Sequence, residues 1–179
     1  MKQKIIQFGH STLRQNSAEV PEAYIASTEI QDVIQTLKTT LPDNGIGLAA
    51  PQINQPWRIF LADISNTDWS QSAGRLSICI NPEVSQASQN LVSDWEGCLS
   101  APGLWGKVAR PESVVVSFTD EFGNRYNDIE LHGVAARVFQ HELDHLDGIL
   151  FVDRMEDMKT LMTDEEFDKI RDNSEGISE

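Results

Sequence analysis

At 179 residues, 40% of them hydrophobic and 23% charged, the chain has a globular composition and the length to bury one real core. A formal net charge of −14 argues against non-specific binding to nucleic acid or to an anionic membrane surface. No apolar run approaches the roughly 18 residues of a transmembrane helix, and the start of the chain has basic residues but no apolar stretch of the signal-peptide kind, so a cytoplasmic location is the expectation.

In chain order, residues 1–20 read as an irregular arm with a short strand at Lys4–Phe8. Thr28-Glu29-Ile30-Gln31 has the form of a capping box. Ile30, Val33, Ile34, Leu37 and Leu41 then follow helical spacing, and Pro42-Asp43-Asn44-Gly45 stops the helix. In Gly45–Gln52, two glycines two apart imply backbone with unusual φ or a close approach to something else. The stretch lacks a Walker lysine and the GxGxxG spacing, so it reads as a glycine turn rather than a phosphate loop. Arg58–Ile64 is a predicted strand, Asn66–Arg75 a polar loop, and Leu76–Asn81 a second strand ended by Pro82. Ser113–Thr119 alternates with Val114, Val116 and Phe118 on one face, and Arg125–Leu131 returns as its hairpin partner. A central helix opens at Gly133 and ends at a Gly148 cap. Thr163-Asp164-Glu165-Glu166 predicts a last helix over about 164–170, with 173–179 frayed. Strands in the middle and helices at both ends give an α+β class, read as one domain over 1–179 with antiparallel sheets around the central helix.

The chemistry concentrates in that helix, at Gln140-His141-Glu142-Leu143-Asp144-His145. Residues i and i+4 share a helix face about 6 Å apart along the axis, so His141 and His145 can aim at one metal ion. Glu142 stays off the ligand set and can reach a water on that metal. Two histidines leave the metal short of ligands. Downstream of His145 there is no His or Cys; upstream, Cys98 lies in a tight Glu96-Gly97-Cys98-Leu99-Ser100 segment. Its thiolate with His141 and His145 makes a three-ligand site with the fourth position open. The second cysteine, Cys79, sits in an apolar run and reads as a small buried hydrophobe.

At these residues the chain resembles the peptide deformylases, over nearly its whole length. The resemblance rests on three motifs in the family's order: GIGLAAPQ at Gly45–Gln52, EGCLS at Glu96–Ser100 and QHELDH at Gln140–His145. It implies that Cys98, His141 and His145 bind the metal and that Glu142 is the general base. It also implies that the Gln52 side-chain amide and the Leu99 N–H stabilise the oxyanion. The implied metal is Fe²⁺, with Ni²⁺, Co²⁺ or Zn²⁺ able to substitute. The implied reaction is hydrolysis of the formyl group from N-formyl-methionyl peptides of newly made chains. Gly45, Ile46, Gly47, Gly97 and Val138 are the candidate substrate-binding residues.

Four positions remain open on sequence alone. Glu96 and Arg110 either pair to hold the EGCLS segment or are two solvated charges. Asp144 either orients a neighbour or is a helix-surface acid. Val134, Arg137 and Val138 share the face of His141 and either wall the methionine pocket or face the core. Trp105 is either a rim contact to peptide or ordinary packing. The chain departs from the family's proline-rich opening at Phe8–Arg14, where His10 is read as a surface or capping residue. From Asp153 to Glu179 it carries ten acids against four basic residues, which speaks against a basic helix docking on ribosomal RNA. The competing readings are an HExxH protease of internal peptide bonds, which leaves Cys98 unexplained, and a metal-binding relative without turnover.

Overall fold

The computed structural model describes residues 2–65 and 76–175; the expected loop at 66–75 and the end of the tail at 176–179 lie outside them. The first helix, α1, spans Thr28–Thr40. Its cap is Ser27, whose hydroxyl accepts from the Ile30 N–H at 3.3 Å, one residue ahead of the expected Thr28 box. Gly47–Ala49 forms a short strand, β1, and Ala50–Ile53 a 3₁₀ turn, so the glycine turn is in fact the edge of a sheet. β2 spans Ile59–Asp63. β3 spans Leu76–Ala87, past Pro82. Pro82 is tolerated because the ladder to the next strand slips there, between Ile80 and Glu83. β4 (Leu91–Cys98) and β5 (Ala101–Pro111) form a hairpin that sequence patterning did not show. β6 (Ser113–Thr119) and β7 (Arg125–His132) are the expected hairpin. The central helix, α2, runs Gly133–Leu146 and Gly148 follows it at φ +73°. A side chain there would be strained, and its Cβ would meet the Arg14 backbone. A short α3 (Phe151–Arg154), a two-residue β8 (Met162–Thr163) and α4 (Asp164–Glu175) complete the chain. α4 is longer than the expected 164–170 and includes the first residues of the expected frayed tail. The expected strand at Lys4–Phe8 is not one; Ile6 and Phe8 instead make isolated backbone bonds described below.

Every strand pair is antiparallel. One sheet runs β1-β2-β3-β6-β7 and the other β4-β5-β8. β2 explains the first sheet's position, because its residues are buried on both faces. Ile59 and Leu61 face α1 and pack with Ile30, Val33, Ile34 and Leu37. Phe60 and Ala62 face α2 and pack with Ala136, Val138 and Phe139. Each large aliphatic so buried contributes about 1.5–3 kcal/mol. Phe60 and Phe139 meet edge to face at 5.1 Å, which fixes α2 against the sheet. Val114, Val116 and Phe118 point into the same core, as their alternation predicts. Cys79 is buried there as a small apolar residue, and burial pushes its thiol pKa up.

Candidate metal centre

α2 carries His141, Glu142 and His145 between the two sheets. The two imidazoles stand 5.0 Å apart, nearly perpendicular. Opposite them, the β4–β5 ladder slips between Gly97 and Cys98 as the hairpin turns. That irregularity aims the Cys98 side chain at the helix: Sγ lies 3.3 Å from His145 Nε2. The donor atoms of Cys98, His141 and His145 all lie within 4.8 Å of one another. Cys98 Sγ also accepts from the Ser100 N–H at 3.4 Å.

The electrostatics favour a cation at this point. Burial alone would raise the Cys98 pKa, but the charges and hydrogen bonds of His145 and His141 overcome it and hold the thiol well below its usual range. His141 has a fixed orientation. Its Nδ1 lies 2.9 Å from Glu96 Oε2; a carboxylate only accepts, so Nδ1 carries the donated proton and Nε2 is the nitrogen that can serve as a metal ligand. Glu142 is buried behind the histidines, with Oε2 lacking a hydrogen-bond partner among the described residues. Burial pushes its carboxyl up to about 7. Two nitrogens and a thiolate, converging on a point flanked by an unsatisfied carboxylate, suit a divalent transition metal with one open position.

The supports of this centre are largely those left open on sequence. Glu96 accepts from Arg110 Nε at 2.6 Å, Arg110 Nη2 at 3.0 Å and Arg137 Nη1 at 2.7 Å, besides His141. Burial would raise its pKa, yet those hydrogen bonds and charges hold it well below the usual carboxylate range. Arg110 donates its remaining edge to Asp144 at 2.8 Å, and Arg154 grips Asp144 from the other side at 2.7 Å. Glu96 and Arg110 are therefore a buried pair, and Asp144 is its buried continuation rather than a surface acid. Arg137 does not wall an apolar pocket: it also donates to the Val108 and Val92 carbonyls. Val138 is packed into the core against the five-stranded sheet, with Val134 and Ile46 partly buried beside it.

Gln52 is oriented by its neighbours. Its Oε1 accepts from the Ala49 N–H at 2.7 Å, so Nε2 must face the other way, toward Ser100 Oγ at 3.2 Å and Cys98 Sγ at 3.6 Å. Leu99 follows Cys98 at the tip of the hairpin, its side chain packed against the core under α1. Gly45 and Gly47 do not have positive φ, among the residues described. For Gly47 the constraint is close approach: a Cβ there would lie 2.8 Å from Glu142 Cδ. The first glycine motif thus supplies the floor on which the Glu142 carboxylate lies.

Two contributors were missed by sequence reasoning. Ser100 is fully buried and shares the Gln52 amide. The N-terminal arm ties the first two motifs together, through Ile6 N–H to the Gln52 carbonyl at 2.9 Å and Phe8 N–H to the Ser100 carbonyl at 2.7 Å. Both bonds run from backbone to backbone, so no side-chain pattern could announce them. His10 is a capping residue, accepting from the Thr12 N–H at 3.3 Å.

Comparisons with known proteins point to one family. A family described as polypeptide deformylase matches residues 2–161. The chain is 40% identical to peptide deformylase 2 of Nostoc sp. over 169 residues, covering 93% of each. It is 44% identical to a peptide deformylase of Caldicellulosiruptor bescii over 124 residues, 69% of each. Among solved structures, a Synechococcus elongatus peptide deformylase in complex with actinonin superposes with a TM-score of 0.77 at 35% identity, covering 87% of this chain and 82% of that one. A class I type b peptide deformylase from Acinetobacter baumannii, bound to Met-Ala-Ser, gives 0.78 at 30% identity, covering 87% and 99%.

Proposed function

This chain belongs to the polypeptide deformylase family, metal-dependent hydrolases that remove N-formyl groups, and from that premise we propose how its own residues divide the work on N-formyl-methionyl peptides of newly made proteins. The observation that carries the reading is the convergence of Cys98, His141 and His145 within 4.8 Å, next to a buried Glu142. These three residues would hold the metal. Their mixed nitrogen and sulfur set suits Fe²⁺, with Ni²⁺, Co²⁺ or Zn²⁺ as substitutes. A divalent cation bound there supplies Lewis acidity for an otherwise unreactive formamide and makes a water acidic at neutral pH.

The protein supplies the rest. Glu142 accepts the proton of the attacking water at its free oxygen and returns it to the leaving amine nitrogen. Gln52 Nε2 and the Leu99 N–H donate to the formyl oxygen as negative charge grows on it, where each such donor is worth about 3–4 kcal/mol. The opposed Ala49 bond keeps the Gln52 donor aimed without reorganisation. Gly45, Ile46, Gly47 and Gly97 would line the peptide's path; Val138, read from the sequence as a further contact, is buried in the core instead. We take residues 1–179 as one catalytic domain working in the cytoplasm on nascent chains; no helix among the described residues is long and apolar enough to cross a membrane. The acidic C-terminal region disfavours direct contact with nucleic acid, so any association with the ribosome would use another surface.

The test is formate release from a formyl-methionyl tripeptide by anaerobically purified, Fe²⁺-loaded protein, beside an acetylated peptide and an internal-bond protease substrate. Formate from the first alone is expected; cleavage of the protease substrate, or no formate from fully loaded protein, overturns the reading.

Two variants probe the parts. Cys98→Ala removes one of three ligands and is expected to leave less than about a tenth of the wild-type metal content after dialysis. Elemental analysis decides, and full loading would refute the ligand assignment. Gly47→Ala drives a methyl group into the Glu142 carboxylate. It should lower kcat about 100-fold while metal content stays near wild type. Unchanged kcat would show that Glu142 does not need its floor.

A further inference from the structure

The metal-ligand strand is gripped on its second face by residues beyond the family match, which ends at residue 161. Gly97 stands opposite Trp105 in the β4–β5 ladder. A Cβ on Gly97 would lie 3.0–3.1 Å from three atoms of the indole, so the Trp105 ring is laid over the Gly97 backbone. One residue later the ladder slips, and that slip sets where Cys98 Sγ and the Leu99 N–H sit.

The indole is pinned from the C-terminal side. Its Nε1–H donates to Asp164 at 2.5 Å, and its ring stacks on Phe167 at 4.1 Å and 8°. Phe167 also meets the edge of Trp95 at 5.5 Å, two residues before Gly97 on the same strand face. Lys107 lies over the Trp95 ring at 5.1 Å. β8 pairs with Leu104 and Trp105 immediately before α4 begins. On the opposite face of β4, Glu96 is fixed by Arg110, Arg137 and His141. Charge and hydrogen bonding hold one face of the segment, and an aromatic clamp holds the other.

We propose that Phe167 and Asp164 of α4 are positioning residues for the metal centre: by clamping Trp105 onto Gly97 they set the ladder slip that places Cys98 and Leu99. In its kinetic consequences this rests on the deformylase reading; in its effect on the metal site it does not.

The experiment uses the full-length, Co²⁺-substituted protein as wild type, Phe167→Ala, Phe167→Tyr and Asp164→Ala. Cobalt absorption reports the thiolate and imidazole geometry, and chelator challenge reports the rate of metal loss. Both are read well below each variant's Tm, beside kcat and KM for a formyl-methionyl tripeptide. Phe167→Ala is expected to shift the cobalt bands, speed metal loss about tenfold and lower kcat by a similar factor with KM within about twofold. Phe167→Tyr, which keeps a ring to stack, restores all three. Asp164→Ala moves the same readouts less; its site is exposed, so it decides the matter if Phe167→Ala does not fold. Wild-type bands and loss rates in both alanine variants overturn the proposal, whatever happens to Tm. A wild type that releases no formate while its variants still shift the bands sinks the deformylase reading and leaves the clamp standing.

Discussion

Glu142→Gln is expected to keep its metal, to lose turnover by about 10²–10⁴-fold, and to make the metal-free protein more stable at neutral pH. The first two effects follow from position. Glu142 is not in the ligand set, so an amide of the same shape leaves Cys98, His141 and His145 in place, but it cannot accept a proton. The third follows from burial, which raises the folded-state pKa from 4.5 to about 7. A carboxyl whose pKa is raised binds its proton more tightly folded than unfolded. It therefore costs nothing below pH 4.5, and the fold loses stability as pH rises from there through about 7, to a limit of about 3 kcal/mol. Gln removes that loss, so the variant and wild type should match in acid, diverge as pH rises from 4.5 toward 7, and stay apart by a constant amount above it. A bound divalent cation favours the carboxylate and shrinks the difference, so unfolding is followed on chelated protein across pH 4.5–8, with kcat and elemental analysis on the loaded enzyme. A variant that keeps a near-normal rate removes Glu142 from the proton transfer; one whose stability tracks wild type at every pH removes the desolvation argument.

That same residue shows how far sequence reasoning reaches. The helix spacing of His141 and His145 and the offset of Glu142 are local facts, fixed by 3.6 residues per turn, and the helix holds them as expected. Cys98 was legible by chemistry, because a metal with two histidine ligands needs another and thiolates are scarce in this chain. The partners of Glu96 were not legible. Arg110 lies 14 residues away and Arg137 41, and only the fold decides whether such charges meet or face water. The β4–β5 hairpin was hidden for a related reason. Its strand residues carry Trp95, Glu96, Lys107 and Arg110, and burial there is by aromatic clamp and ion pair rather than by alternating aliphatics. The reading of Pro82 as a strand end applied a sound rule to a ladder that bulges around it. Gly47 is a place of close approach on ordinary strand backbone, one of the two meanings its paired glycines allow, yet the carboxylate that requires it is 95 residues on and could not be guessed from a turn signal.

The buried ion network allows stability to be separated from function. Arg110→Met is expected to destabilise the protein by about 3–5 kcal/mol, because Glu96 and Asp144 are left as buried carboxylates without the guanidinium that joins them. Arg137 and Arg154 soften the loss, since each still reaches one of the two acids. In the double variant Arg110→Met, Glu96→Leu one of the two stranded carboxylates is replaced by apolar volume, while Asp144 keeps only Arg154, and a good part of that stability should return. Metal affinity should not return with it. The Nδ1 of His141 has lost the acceptor that fixes its tautomer and orientation, a contact whose loss costs about 10–100-fold in metal affinity or rate. Urea unfolding of the metal-free proteins and competitive Co²⁺ titration of the folded ones measure the two effects independently. A double variant that regains both stability and wild-type affinity would show that Glu96 serves only to neutralise Arg110. One that regains neither would show that the network holds the strand carrying Cys98, and that apolar packing cannot substitute for its geometry.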